Sequence, residues 1–315
     1  MDIRALPVGQ GLTWFKQAID LGGKNPRAVF GAALLLIIAL YAAAMLVALA
    51  MATLVMGGQA VGDDAGPDLR LAMWVAIPLM LLVMLLVPIL LGGLMHVIRE
   101  AEAGRPVRAR DVFMPLRGAR GRRLGLLGLL QVALAVAGAA LVTVIAGADY
   151  WSDYMAAMQS AMQDGGTPAQ MPQARNAGLL FLVQLVFNYF SYAMMLFAIP
   201  LMLFSGSGFV DALRDSLRAA VRNVGANLFA GLLFVGALLV ASLLVLLVGG
   251  LASMLGGLVH QALGGLLLMV VMLGFASVVL VVVAGAAYLA WRDTFGEGAL
   301  PPPPPAAGGS HGIEV

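Results

Sequence analysis

Residues 209–248 read FVDALRDSLRAAVRNVGANLFAGLLFVGALLVASLLVLLV, and the change of character at Arg222 decides the fold. Before it, Phe209, Leu213, Leu217 and Val221 recur every four residues, with Arg214, Arg218 and Arg222 on the neighbouring stripe. That spacing predicts an amphipathic helix lying flat at the headgroup level of a bilayer. Asp211 with Arg214, and Asp215 with Arg218, are three apart and can pair on its polar face. After it, no acidic or basic residue occurs until Arg292. Only a bilayer, or burial among other helices, tolerates so long an uncharged run.

The rest of the chain repeats this alternation. It is 62% hydrophobic and only 11% charged, too little polar surface to dissolve a globular domain of this length. The apolar residues gather in six blocks, at 28–56, 71–97, 124–148, 177–204, 226–248 and 263–290. Each is long enough to cross a hydrocarbon core about 30 Å thick. The fold class is therefore all-α: a polytopic integral membrane protein with six transmembrane helices in three hairpins. An N-terminal interfacial segment (1–27) precedes the transmembrane domain (28–292), and a disordered, proline-rich tail (293–315) follows it. The first block exceeds a signal-peptide core and no cleavage site stands out, so it reads as a retained anchor.

Orientation follows from the basic residues. Arg4, Lys16, Lys24 and Arg27 precede the first block. Arg99, Arg105, Arg108, Arg110, Arg117, Arg120, Arg122 and Arg123 fill the second gap; Arg214, Arg218 and Arg222 fill the fourth; Arg292 opens the tail. The other gaps hold only Arg70 and Arg175 among aspartates. Basic loops stay on the cytoplasmic side, which places both termini there. The same residues account for a pI near 9.1 without nucleic acid as a partner.

Each hairpin begins with a basic, partly apolar lead-in. In the first, Leu12, Phe15 and Ile19 stand at helical spacing beside Trp14 and Lys16; in the second, Val112, Phe113 and Leu116 interrupt the arginines. Lys24-Asn25-Pro26 and Arg222-Asn223-Val224 end the first and third alike, and either asparagine can cap the next helix. Residues 76–81 and 198–203 share the string AIPLML, and Pro88 matches Pro200 by its distance from the membrane exit, a pattern that suggests a three-hairpin pseudo-repeat. Tyr150, Tyr154, Met158 and Met162 predict a further interfacial helix, broken at 165–168. The glycine-rich connection at 249–265 reads either as a tight turn or as a segment dipping back into the membrane.

Trp14-Phe15, Lys24-Asn25-Pro26, Gly104-Arg105-Pro106 leading to Asp111-Val112-Phe113, and Asp211-Ala212-Leu213 with Ser216 and Arg222-Asn223 resemble a family of uncharacterised proteobacterial inner-membrane proteins. The layout is similar to that of the broader YciC-like group of six-helix membrane proteins. The likeness runs roughly from Gly11 to Arg292, and it implies fold and location but no activity.

Polar groups inside a bilayer need a partner or a cavity, so they mark candidate sites. Gln184, Asn188, Ser191 and Tyr192 form the densest set, either lining a crevice for a small ligand or joining helices by hydrogen bonds. Arg117, Arg120, Arg122, Arg123, Arg214, Arg218 and Arg222 can grip lipid phosphates with their planar forks, beside their plain role as topology signals. His96, His260 and His311 lie in separate regions and do not make a metal site, and the periplasmic Met155, Met158, Met162 and Met171 read as packing residues. The chain has no cysteine, no nucleophile elbow, no phosphate-binding loop and no carboxylate inside a predicted span. The expectation is a non-enzymatic protein without cofactor or metal, whose partners are anionic membrane lipids and other membrane proteins, acting as a scaffold or envelope factor. The alternative is a transporter or flippase-like protein for an apolar or zwitterionic substrate.

Overall fold

The computed structural model describes residues 3–60, 69–163 and 172–296. Within them the chain is helical, with no strand. The elements are α1 (Gln10–Lys24), α2 (Pro26–Ala60), α3 (Leu69–Glu102), a 3-10 helix (Ala109–Phe113), α4 (Met114–Arg117), α5 (Ala119–Arg123), α6 (Gly125–Ala146), α7 (Tyr150–Gln163), α8 (Ala177–Leu203), α9 (Phe209–Arg222), α10 (Val224–Val259) and α11 (Gln261–Phe295). Six stretches are long and apolar enough to cross a membrane: Pro26–Ala50, Ile77–Glu102, Ala119–Ala146, Ala177–Leu203, Val224–Val259 and Gln261–Phe295. The chain is thus consistent with a multi-pass membrane protein. Residues 1–2, 61–68, 164–171 and 297–315 fall outside the described residues, and with them Asp63, Asp64, Asp68, Met171, His311 and the proline run.

Two boundaries differ from the sequence expectation. The expected tight turn within 249–265 is a single residue: α10 runs on past residue 248 to Val259, His260 breaks it, and α11 starts at Gln261. His260 Nδ1 accepts the backbone N–H of Ala262 at 3.1 Å, so one extended residue both ends a helix and caps the next. The glycines serve contact rather than bending. A Cβ on Gly256 would lie 2.8 Å from Gly264 Cα, and one on Gly264 would lie 2.5 Å from the Ser253 carbonyl. Side chains there would force α10 and α11 apart. At the other end, α11 continues past residue 290 to Phe295, and Trp291, Thr294 and Phe295 are buried. The tail therefore begins later than residue 293.

The core sits at one end of the molecule, the end that carries the arginines. It takes in residues 28–37 of α2, 89–101 of α3, Phe197–Met202 of α8 and most of the last turns of α11 from Val281. Toward the other end the same helices are bare. Of the 36 residues of α10, only Ala226, Gly249 and Gly256 are buried. A helix of that length measures about 54 Å, well beyond an oil layer of roughly 30 Å. Exposed leucines and valines on its middle turns suit contact with lipid tails.

Short lead-in helices fill the basic end, each against a different long helix. The first, α1, runs antiparallel to α11: Trp14 meets Asp293, Ala18 faces Gly285 and Gly22 faces Val281. Its buried side is Gly11, Trp14, Ala18, Leu21 and Gly22, while Leu12 and Ile19 point outward. Gly11 lets it approach α10 as well, since a Cβ there would lie 2.6 Å from the Ala226 carbonyl. The 3-10 helix lies between α2 and α3, its Val112 carbonyl pressed onto Gly93 so closely that no side chain fits. The third lead-in, α9, packs along α8 and is pinned there by Tyr189, whose hydroxyl donates to the Ala220 carbonyl at 2.8 Å. In sequence order, α2 packs with α3, α6 with α8, and α10 with α11. Ile199 lies against Gly92, which puts Pro200 about one turn from the level of Pro88 and far from Pro78, despite the shared AIPLML string.

Candidate functional site

The most connected polar group lies where α1, α3 and α11 meet. Glu102, near the end of α3, accepts from the Tyr288 hydroxyl at 2.8 Å on one oxygen and from Arg292 Nη1 at 2.6 Å on the other. Asp293, the next residue of α11, accepts from Arg292 Nε at 3.2 Å on Oδ1. Its Oδ2 accepts from Trp14 Nε1 at 2.9 Å and Gln10 Nε2 at 2.8 Å. Every carboxylate oxygen of the pair is satisfied, as half-buried charges require. Beside the cluster, Phe204, Tyr288 and Trp291 stack as tilted and edge-on rings, with the Arg99 guanidinium 4.7 Å from the Phe204 centroid. Arg105 grips Glu100 with two bonds of 2.5 Å just below. A network of this kind holds helices together, although the Trp291 Nε1 and Thr294 Oγ1 atoms close by are buried without a hydrogen-bond partner among the described residues.

These residues were not among the sites expected from sequence. Arg292 reads there as a topology marker, and its acidic partner lies 190 positions away. The available signal was two carboxylates, Glu102 and Asp293, at the ends of otherwise apolar helices.

Asn223 also departs from expectation. Asn25 caps α2, its Oδ1 accepting from Ala28 N at 3.3 Å. Asn223, at the matching place before α10, makes no such cap. Its side chain instead accepts from Leu6 N at 2.8 Å and donates to the Arg4 carbonyl at 3.0 Å. Arg4 N in turn donates to the Thr294 carbonyl, so the N-terminal strap ties α10 to the end of α11.

The candidate arginines Arg117, Arg120, Arg122, Arg123, Arg214, Arg218 and Arg222 are all exposed. Arg120 reaches from α5 to the α8–α9 connection, where its guanidinium lies beside Gly206. On α9, Arg218 stands 3.9 Å from Asp215, whereas Asp211 and Arg214 form no ion pair. The expected apolar stripe of α9 divides: Phe209 and Leu213 pack on the core, while Leu217 and Val221 face outward with Val210. That helix therefore shows one side to protein, one apolar side outward, and arginines between the outward side and water.

The polar stripe of α8 does not converge on one place. Asn188 and Tyr192 are exposed, Gln184 is half-buried, and none of the three makes a side-chain hydrogen bond among the described residues. Tyr189, next to the stripe, is the residue that joins helices, to Ala220 and weakly to Asn227 at 3.4 Å. Ser191 lines a trough of about 500 Å³ between α6 and α8. Leu134 and Leu141 form one wall, Val186 and Phe187 the other, and Leu217 of α9 stands at one end. The Phe187 ring rests on Gly138, where a Cβ would come within 3.1 Å of it.

Of the histidines, His96 lies half-buried on α3 and His260 caps α11, far apart along separate elements. Met155 and Met158 lie on α7, which Trp151 ties to α6 through a 2.9 Å bond to Thr143. Among the described residues no three His, Asp or Glu side chains gather as a metal site.

No protein-family model, no curated protein and no solved structure matches the chain.

Proposed function

We propose that the protein is a non-enzymatic, multi-pass inner-membrane protein with both termini in the cytoplasm, arranged as three helical hairpins. It contacts anionic lipid headgroups, and through them or beside them other membrane proteins, as a scaffold or envelope-maintenance factor. The observation that carries this reading is the threefold division of α9. Ala212, Ser216 and Ala219 seat it on the bundle, Val210, Leu217 and Val221 turn outward, and exposed Arg214, Arg218 and Arg222 run alongside. A helix so divided sits where protein, acyl chains and headgroups meet. The outward Leu12 and Ile19 of α1, and Met114 and Leu116 of α4, repeat the arrangement for the other two lead-ins. The likeness to the YciC-like group agrees with the same layout.

The test is the lipid that copurifies with the protein. The unaltered chain should copurify with phosphatidylglycerol enriched over phosphatidylethanolamine, and reversing Arg214, Arg218 and Arg222 to glutamate should abolish that enrichment. Unchanged lipid content would sink the reading.

A second reading, a transporter or flippase-like protein for an apolar or zwitterionic substrate, is favoured by one observation: Gln184, Asn188 and Tyr192 lack side-chain hydrogen-bond partners within a predicted span. It requires that a polar thiol reagent reach cysteines placed at 184, 188 and 192 from both sides of the membrane. Protection at all three positions would exclude it.

A further inference from the structure

The trough between α6 and α8 is lined at one end by Leu217, and we propose that it seats one acyl chain of an anionic phospholipid, with the lipid phosphate on Arg214 and Arg218. This rests on the lipid-contact reading above and assigns it one specific site. Ser191 is the single polar residue among those that line the trough, so the occupant is a hydrocarbon. Along α8 the lining runs from Leu182 to Met194. Twelve residues of helix cover about 18 Å, close to the ~15 Å depth of one leaflet of the hydrocarbon core.

The headgroup end is set by α9. The Tyr189–Ala220 bond holds that helix against α8, so Leu217 stands at the mouth with Arg214 three residues before it and Arg218 one residue after. Both guanidinium groups are exposed; Arg214 has no ion-pair partner, and Arg218 has only the 3.9 Å approach of Asp215. An apolar slot leading to two arginine forks complements a chain that ends in a phosphate. Gly138 keeps the two walls together, because the Phe187 ring occupies the place its side chain would take.

The experiment is native mass spectrometry of the full chain, titrated with phosphatidylglycerol and with phosphatidylcholine of the same acyl chains. The expected result is one tight phosphatidylglycerol adduct, roughly tenfold stronger than that of phosphatidylcholine, ahead of weaker further adducts. Ser191→Trp fills the trough and should weaken the first adduct by about tenfold while the weaker ones persist. Leu185→Trp, on an exposed face outside the trough, should leave it unchanged. Replacing Arg214 and Arg218 together by glutamine should bring phosphatidylglycerol down to the level of phosphatidylcholine.

An unaltered first adduct in Ser191→Trp overturns the site; the broader lipid reading then still stands or falls by the glutamate variants. Should Ser191→Trp fail to fold, phosphatidylglycerol carrying a photoreactive acyl chain decides on the unaltered protein. Labels at residues 134–141 and 182–194 support the site, and labels spread over α10 and α11 instead overturn it.

Discussion

Asn223 and Leu6, 217 positions apart, are joined by a 2.8 Å hydrogen bond from the Leu6 backbone to the Asn223 side chain. The same amide donates to the Arg4 carbonyl, and Asn223 is 2% exposed. Asn223→Ala would leave a part-buried N–H and a part-buried carbonyl without their partner, at a cost of about 1 kcal/mol. The expected outcome is a lower unfolding temperature in detergent together with faster proteolysis after Arg4. Asn223→Asp should fare no better, because it turns a carboxylate oxygen toward the Arg4 carbonyl.

The Glu102–Arg292 pair holds α3 to α11, with side chains 13% and 18% exposed. Arg292→Met leaves Glu102 charged with only Tyr288 beside it, and removing one partner of such a pair costs about 3 kcal/mol. Glu102→Gln combined with Arg292→Met should cost less than Arg292→Met alone, since no unpaired charge remains. Thermal unfolding of the two variants against the unaltered chain decides this, and equal losses for single and double variants would refute it.

Neighbouring glycines near the α10–α11 junction should respond in opposite ways. Gly264→Ala places a methyl group against the Ser253 carbonyl and should destabilise by about 1–3 kcal/mol, as crowding in a packed contact does. Gly265→Ala meets nothing within 4 Å and should be neutral or mildly stabilising, because alanine favours helix. Paired melting curves in one detergent provide the comparison.

Topology is open to direct assay. A reporter active only outside the cytoplasm should stay silent when fused to either terminus, and should be active when placed between Asp164 and Met171. Activity at one terminus alone would remove one span from the proposed arrangement.

Much of this architecture could be read from residue order. Six apolar blocks correspond to six long helices, because length and hydropathy along the chain are local properties. The lead-ins were legible as helices for the same reason, and α7 coincides with the Tyr and Met spacing that predicted it. The tight turn expected at 249–265 narrows to His260, and the helices run further than expected because glycine in a chain like this one marks close helix contact as readily as it marks a bend. The cap expected from Asn223 failed because a side chain with two hydrogen-bonding groups takes the better partners on offer, and those came from the far end of the chain.

Composition and spacing by themselves thus determined that this is a helical chain of six membrane-length segments, with its arginines gathered in alternate gaps. Only the tertiary structure decided which side of each lead-in faces protein, and that Glu102, Arg292, Asp293 and Trp14 form one cluster. It alone revealed the trough that Leu217 helps to line. Helix formation depends on neighbours within a few turns, whereas these contacts depend on how separate helices cross, and residue spacing carries little record of that.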